Sequence, residues 1–398
     1  DLILHNESIY QLGTPKVLLC TVTGEKHTLG SLMAQAILCS QGAFCINLGS
    51  ELPISEIVID DLVAQLNKQT GKLEYVHPLE TLVFDHTGEM YEVETQGVSQ
   101  KVTLNHRMWI QKRDSPKYEL IQAKDMVGKR VRFQSGGSPI TNNDYEINFG
   151  NQIYSGINAD KFLVILGIFM AEGWTYICEK DYIARIEFAA NKPRVQEALA
   201  EACDMLGLNY SMNVKTLKWY INHKELATEF KTLSVGAVNK TLPVWTKLLS
   251  AQQSKTLLNS MCLGDGHETE TSLHYSTSSI KLRDDIQILS QHAGYTAYYT
   301  SRYDAGHTST LKDGRIITAT ETSWDIGIRR KRLYPTLNHG HTHEQNGQIE
   351  EITQFNGKVY CLRVPSEVFL VRRNGKCSFT GNSSRHGKYK ISYYYSHY

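Results

Sequence analysis

The sequence predicts an all-β domain interrupted by an inserted α/β domain that is itself duplicated. Three observations predict it. Short β-type runs broken by Gly, Asp and Asn fill the stretch from Cys45 to about residue 137. The same texture returns after residue 347 with "IEEITQF", "KVYCLRV" and "EVFLVRR". Between them two strongly apolar helical segments share one ending, and each is followed by an amphipathic helix. A repeated order of elements is read first because it sets the fold.

The elements follow in order. Within "HTLGSLMAQAILCSQGAF", Leu29, Leu32, Met33 and Ala36 recur at helical spacing and predict a short helix. The runs "CINLGSEL", "TLVFDHTG", "MYEVETQG", "QKVTLNHRMWI" and "KRVRFQSGG" predict short strands, with glycines read as breaks. "GGSPITNND" has the composition of a linker. Next come the apolar helix "DKFLVILGIFMAEGW", an amphipathic helix over 191–208, the apolar helix "SKTLLNSMCLGDGH" and an amphipathic helix over 278–295. Strand-like runs "YIARIEF", "LKWYINH", "SLHYSTS" and "TAYYTSR" fill the gaps. The predicted divisions are 1–44, 45–140, 141–335, 336–382 and 383–398.

Composition narrows the classes. The 398 residues suggest two or three domains. No apolar run reaches the ~18 residues of a membrane span, so no membrane partner is expected. The opening stretch "DLILHNESIY" lacks the basic-then-apolar pattern of a signal peptide. An intracellular location, cytoplasm or nucleus, is therefore expected, for a chain acting as a monomer. The eight cysteines are scattered with no CxxC pair, which argues against a zinc ribbon or disulfide framework. A net charge of +1 excludes a wholly basic surface and leaves room for a local basic groove. His339, His341 and His343 alternate and would share one face of a strand as zinc ligands, or belong to a polar loop.

The two apolar helices carry the first chemistry. "LGIFMAEG" (166–173) and "NSMCLGDG" (259–266) each end in an acidic residue followed by Gly. Gly167 with Ala171, and Ser260 with Gly264, fall at i,i+4 and give each helix a face of small residues. Close packing on those faces would bring Glu172 and Asp265 together. Adjacent carboxylates repel unless a cation lies between them, which favours Mg²⁺ and metal-assisted phosphodiester hydrolysis. The paired motifs resemble the LAGLIDADG homing endonucleases in their two-repeat form, and "NKTLPVWTKLLSAQQSKTLLNSMCLGDG" is similar to the segment leading into the second motif. The resemblance implies saddle-shaped sheets over double-stranded DNA, Glu172 and Asp265 as metal ligands, and Lys240 and Lys281 as auxiliary lysines. It leaves open whether the unit still cuts. The run "RRKR" at 329–332 is a further phosphate contact or a solvated linker.

The split β domain carries the second chemistry. "VTLNH" places Thr103 and His106 at T-x-x-H spacing, and the far end holds "VYCLRVPSEVFLVRRNGK" and "FTGNS". Together with the interrupting unit these segments resemble the splicing blocks of an intein, over about 45–383. The resemblance implies a Hint (horseshoe β) fold and autocatalytic protein splicing, with host-protein exteins in cis as partners and no cofactor. In that reading Cys45, with Cys39 as the alternative, forms the first thioester on Phe44. Thr103 and His106 polarise the Phe44–Cys45 peptide. Ser383 accepts the acyl group, and Asn382 cyclises to cut the 382–383 bond.

Two positions depart from the family pattern. Gly381 stands where the family usually has His. Cys361 stands where it usually has Asp. Cys361 with Thr380 also fits a subgroup whose first thioester forms on an internal cysteine. That subgroup places Trp two residues after the block His, where this chain has Met108. A standalone LAGLIDADG DNA/RNA-binding nuclease or maturase-like protein that does not splice is the alternative from a different class.

Overall fold

The structure is a computed structural model. It describes residues 16–19, 44–47 and 54–382, apart from 138, 235, 265, 311–314 and 339–347. The chain divides into two units, Asp1–Val58 and Ile59–Tyr398. In the first, strands Lys16–Leu19 and Phe44–Asn47 pair in parallel, with Val17 opposite Cys45. The expected helix around Leu29–Ala36 lies outside the described residues. The second unit is mostly β-sheet, with five α-helices among the described residues.

Helix α1 (Gly156–Glu172) is apolar on every side and accordingly central, with Phe162, Leu163, Leu166 and Phe169 fully buried. Helix α2 (Pro193–Leu206) starts with Pro in its first turn and stops at Gly207, which adopts φ 65° as a left-handed cap. Helix α3 (Lys224–Leu233) buries Leu226, Ala227, Phe230 and Leu233. Helix α4 (Ala251–Leu263) opens with a capping box in which Ser250 and Gln253 satisfy each other's backbone N–H. Helix α5 (Ile280–His292) is capped by the Ser279 side chain, which accepts from the Leu282 N–H.

The duplication is visible in the sheet order. After α1, strands Gly173–Cys178, Ile183–Ala189, Tyr210–Asn213 and Lys218–Ile221 assemble in the order first, second, fourth, third. After α4, strands His267–Glu268, Ser272–Thr277, Thr296–Tyr303 and Ser323–Arg329 assemble in that same order. Helices α1 and α4 pack where their small residues meet. A β-carbon on Gly167 would lie 2.6 Å from Ser260 Cβ and 2.8 Å from the Met261 nitrogen. One on Gly264 would lie 2.8 Å from Ala171 Cβ.

Two β segments far apart in sequence pair with each other across the intervening chain. Glu80–Glu94 and Ile349–Arg363 form a fifteen-residue antiparallel pair, from Glu80↔Arg363 to Glu94↔Ile349. Each was expected as two short strands. Each runs on without a break, because Gly88 pairs with Phe355 and Gly357 with His86 inside the ladder. The chain leaves this region at strand Val131–Phe133 and re-enters at Thr336–Leu337, and these strands pair, Arg132 with Thr336 and Val131 with Leu337. The Phe133 N–H donates to the Pro335 carbonyl at 2.8 Å, so the two ends of the intervening segment are side by side. The second repeat's sheet continues into strands Lys376–Gly381, Val368–Arg373, Val63–Leu66 and Leu73–Val76 through the pair Tyr298↔Lys376, giving eight strands in all.

Candidate active sites

The first site gathers at the end of strand Lys376–Gly381. Asn382 follows it directly and is 5% exposed. Both atoms of its side-chain amide are engaged by one residue. Oδ1 accepts from the Val364 N–H at 3.2 Å, and Nδ2 donates to the Val364 carbonyl at 3.1 Å. Its own N–H donates to the Glu367 carbonyl at 2.9 Å. Its backbone carbonyl accepts from Arg107 Nε at 3.1 Å. Arg107 also donates from Nη2 to Glu367 Oε1 at 3.1 Å, and Glu367 Oε2 accepts from Lys68 Nζ at 2.7 Å. The Lys68 hydrogen bond is the main reason the Glu367 carboxyl is held below its ordinary range.

Two residues upstream, Thr380 Oγ1 lies 2.8 Å from His106 Nε2. His106 is buried, and burial lowers its pKa to about 4, with the Arg107 charge as a lesser cause. The imidazole is therefore neutral at physiological pH. Thr103 closes the T-x-x-H turn, its carbonyl accepting from the His106 N–H at 3.0 Å. Its hydroxyl donates to Asn105 Oδ1 at 2.7 Å. Cys361 is buried in strand Ile349–Arg363 opposite Leu82, three residues before Val364. Cys45 lies on strand Phe44–Asn47 of the other unit. Cys39, Ser383 and the three alternating histidines at 339, 341 and 343 lie outside the described residues.

The second site lies at the foot of the α1–α4 pair. The Glu172 carboxylate sits against the α4 terminus, since a β-carbon on Gly264 would be 2.9 Å from its Cγ and 3.0 Å from Oε1. A cavity of about 370 Å³ opens beside it, lined by Glu172, Trp174, Thr175, Ser234 and Lys240 among others. Lys240 Nζ donates to the Met170 carbonyl at 2.8 Å and the Ala171 carbonyl at 3.4 Å, placing a cation at the negative end of α1. Lys192 Nζ stands 3.7 Å from Glu172 Oε1 and donates to the Gly264 carbonyl. Lys281 is the second residue of α5 and is not among the cavity-lining residues. Asp265 lies outside the described residues. The carboxylate oxygens of Glu172 are hard donors of the kind Mg²⁺ takes.

The sheet faces turned away from the helices carry basic and aromatic side chains, with Arg185 also pairing with Glu187 at 2.7 Å. Ile186, Phe188 and Ile221 point into the core, so their neighbours in the alternation point outward. There Arg185 lies over Tyr176 and Tyr220, at 5.2 and 4.4 Å, and Lys218 over Trp174 at 5.1 Å. On the second sheet Arg329 lies over Tyr298 at 4.8 Å. The rest of the "RRKR" run is partly neutralised, because Arg330 pairs with Glu268 at 2.7 Å and Lys331 with Glu270.

No protein-family model matches the chain. Two curated proteins are similar to it. One is a DNA-directed RNA polymerase subunit beta C-terminal section from Stigeoclonium helveticum, 30% identical over 393 residues and aligned with 85% of this chain. The other is an ATP-dependent Clp protease proteolytic subunit from Chlamydomonas moewusii, 26% identical over 452 residues and also aligned with 85% of this chain. The chain spans 36% and 44% of the length of these relatives.

Among solved structures, parts of the chain are similar to a homing endonuclease and to a split intein. A mesophilic variant of the homing endonuclease I-DmoI matches 45% of this chain and 93% of its own, at 10% identity and TM-score 0.31. I-DmoI in complex with DNA and Mn matches 43% of this chain and 90% of its own, at 11% identity and TM-score 0.30. A splice-inactive variant of the AceL NrdHF class 3 split intein matches 83% of this chain and 88% of its own, at 12% identity and TM-score 0.23. No helix among the described residues is long and apolar enough to cross a membrane.

Sequence reasoning named His106, Thr380 and Asn382, and these come together. It missed Arg107, Val364 and Glu367, which hold Asn382. Arg107 directly follows the T-x-x-H turn, and only that adjacency marked it. Val364 and Glu367 act through main-chain groups at Asn382, for which side-chain identity gives no signal.

Proposed function

We propose that residues 45–382 are a self-excising protein-splicing element carrying a DNA endonuclease of the LAGLIDADG type. The observation that carries the reading is the cradle of Asn382. A surface asparagine in a turn would be solvated. This one is buried, with its side-chain amide fixed by Val364 and its backbone carbonyl on a cation. Holding nucleophile and electrophile of one residue in place supplies the orientation that a slow intramolecular attack requires.

Two further findings support the reading. The ends of the intervening segment meet at Phe133 and Pro335, as a domain insertion requires. Two relatives with unrelated names, an RNA polymerase section and a protease subunit, each align with 85% of this chain and with less than half of themselves. An element inserted into different hosts gives that pattern.

The steps are these. The Cys45 thiol attacks the Phe44 carbonyl and turns the peptide into a thioester. In this reading His106 is the residue assigned to proton transfer at that bond, the thiol proton ending on the departing Cys45 nitrogen. Ser383 Oγ attacks the thioester and forms a branched ester. Asn382 then cyclises, releasing the Ser383 amine, which takes the acyl group from oxygen to give an ordinary peptide. In the endonuclease, Glu172 and Asp265 would hold Mg²⁺, which when bound supplies a polarised water. Lys240 and Lys281 would assist there. The Arg185, Lys218 and Arg329 faces suit duplex DNA, with cations for phosphates.

The test is to express residues 1–398 and measure intact masses. An excised 45–382 fragment and a joined peptide of the two flanks are expected, and Asn382→Ala should abolish cleavage at 382–383. A stable full-length chain that never yields either product sinks the splicing reading. The endonuclease reading is checked separately, with Mg²⁺ and plasmids bearing the uninterrupted coding junction. Neither cleavage nor binding of such a site would overturn it.

A further inference from the structure

The family pattern expects a histidine before the terminal asparagine, and the structure explains why this chain has glycine. A β-carbon on Gly381 would lie 2.5 Å from the Arg107 carbonyl oxygen and 2.5 Å from Leu120 Cδ2. The first of these is main chain of the neighbouring strand and cannot rotate away. No imidazole can therefore be mounted at 381.

The job such a group would do is still needed. When Asn382 Nδ2 attacks the Asn382 carbonyl carbon, negative charge builds on the carbonyl oxygen, in a pocket with little water. His106 is not available for it. Its Nε2 is on Thr380 Oγ1 at 2.8 Å, and it is uncharged above about pH 4. One cation does reach that oxygen. Arg107 Nε donates to it at 3.1 Å, and the close approach of strand Arg107–Lys112 to Gly381 is what brings it there. The guanidinium is always protonated and its donors lie in a fixed plane. Glu367 fixes that plane from the other side, through Nη2 at 3.1 Å.

We propose that Arg107 is the catalytic cation of the Asn382 ring closure, in place of the side chain that Gly381 cannot carry, with Glu367 as its positioning residue. The inference rests on the splicing reading and adds to it the group that activates the last cleavage. In that step a bond forms between Asn382 Nδ2 and the Asn382 carbonyl carbon, and the bond from that carbon to the Ser383 nitrogen breaks. Nδ2 loses one proton and the departing amine gains one. No oxidant, metal or cofactor takes part. Arg107 keeps its protons and stabilises the oxyanion between the two events.

The full 1–398 chain with Cys45→Ala isolates the last step. Its product is a 1–382 fragment ending in a succinimide, one water lighter than the free acid. Arg107→Gln should slow release of 383–398 by about 10²–10³-fold, the usual cost of losing one oxyanion donor. Thiol-induced cleavage at 44–45, followed in an Asn382→Ala background, should change far less, through the Arg107 charge beside His106 alone. Arg107→Ala should recover part of its rate in added ethylguanidinium, which a purely structural arginine would not show. Glu367→Gln should slow release by about tenfold, with wild-type rate restored by Glu367→Asp at least in part.

Wild-type release by Arg107→Gln would overturn the assignment. If that variant does not fold, Arg107→Lys decides, because it keeps the charge and loses the fork. A wild-type rate in that variant together with no effect of Glu367→Gln would overturn the assignment of a Glu367-held guanidinium. If the Arg107 parent itself releases nothing at 382–383, the splicing reading fails first and takes this one with it.

Discussion

The two candidate centres are both built around a glycine with no room for a side chain, and they differ in what crowds it. At Gly381 a backbone oxygen, that of Arg107, stands in the way, level with Leu120 Cδ2 at 2.5 Å. At Gly264 the obstruction is side-chain atoms, Ala171 Cβ and the Glu172 carboxylate arm. The surroundings differ in the same sense. Asn382 is enclosed by main-chain donors and acceptors of Val364 and Glu367. Glu172 borders a cavity of about 370 Å³, with lysines 192 and 240 close by. The proposed chemistries ask for this contrast. A residue that attacks itself needs its geometry fixed and nothing admitted. A site that cuts a duplex needs charge and an opening.

The comparison is tested most severely by Gly381→His, which installs the residue the family pattern expects. Its β-carbon would force strand Arg107–Lys112 away and draw Arg107 Nε off the Asn382 carbonyl. Release at 382–383 should fall below detection by intact mass, while cleavage of DNA, if the parent cleaves it, continues. A faster last step in this variant would break the contrast at its root.

Acid should act on the enclosed centre before the open one. His106 has a folded-state pKa of about 4, below its ordinary 6.5, so the unfolded chain binds the proton first on acidification. Its contribution is present in full above pH 6.5 and is lost as pH falls toward 4, up to roughly 3 kcal/mol for this group. His292, also lowered to about 4 by burial, adds to the loss. Asp285 opposes it. Burial raises its carboxyl to about 6, so protonation favours the folded chain between there and its ordinary value. Two histidines outweigh one aspartate, and the net slope is destabilising in acid. Urea midpoints of the Asn382→Ala chain at pH 7.5, 6 and 5 should fall steadily. His106→Gln should make the fall shallower.

Gly167→Leu probes the packing beneath the open site. Its β-carbon would meet Ser260 Cβ and the Met261 nitrogen, so the α1–α4 pair must part. Overpacking of this kind costs about 1–3 kcal/mol. A lowered melting temperature with loss of metal-dependent cleavage is expected, and retained cleavage would dissociate the helix contact from the site.

How much of this was legible follows from the range of each signal. The small residues Gly167, Ala171, Ser260 and Gly264 were readable at i,i+4, and the helices meet on them, because helix faces are local patterns. Helix α3 is also written locally, in Leu226, Ala227, Phe230 and Leu233, between the strand-like run "LKWYINH" and the apolar helix "SKTLLNSMCLGDGH". Gly88 and Gly357 fall between the short runs that the sequence suggests, yet each has a partner in a ladder joining segments more than 250 residues apart. Arg107 was the least readable. Its meaning depends on Asn382, 275 residues away, and on a neighbour at 381 that has no side chain.

The smallest expected effect comes from Lys240→Met, and it separates charge from structure at the open site. Lys240 donates to the Met170 and Ala171 carbonyls in the last turn of α1, so the substitution removes a cation from the negative end of that helix. Such interactions are worth about 0.3–1 kcal/mol, so the melting temperature should move by no more than a few degrees. The methionine keeps most of the stem that lines the cavity. If Lys240 serves only as a cap, DNA cleavage should follow stability and barely change. If it also acts on the phosphate beside Glu172, cleavage should drop by tenfold or more at nearly constant stability. The enclosed centre contains neither group, so release at 382–383 should be unaffected in either case. A parallel loss there would mean that the two centres are coupled although they adjoin different sheets, Trp174 on the four-stranded one and Gly381 on the eight-stranded one.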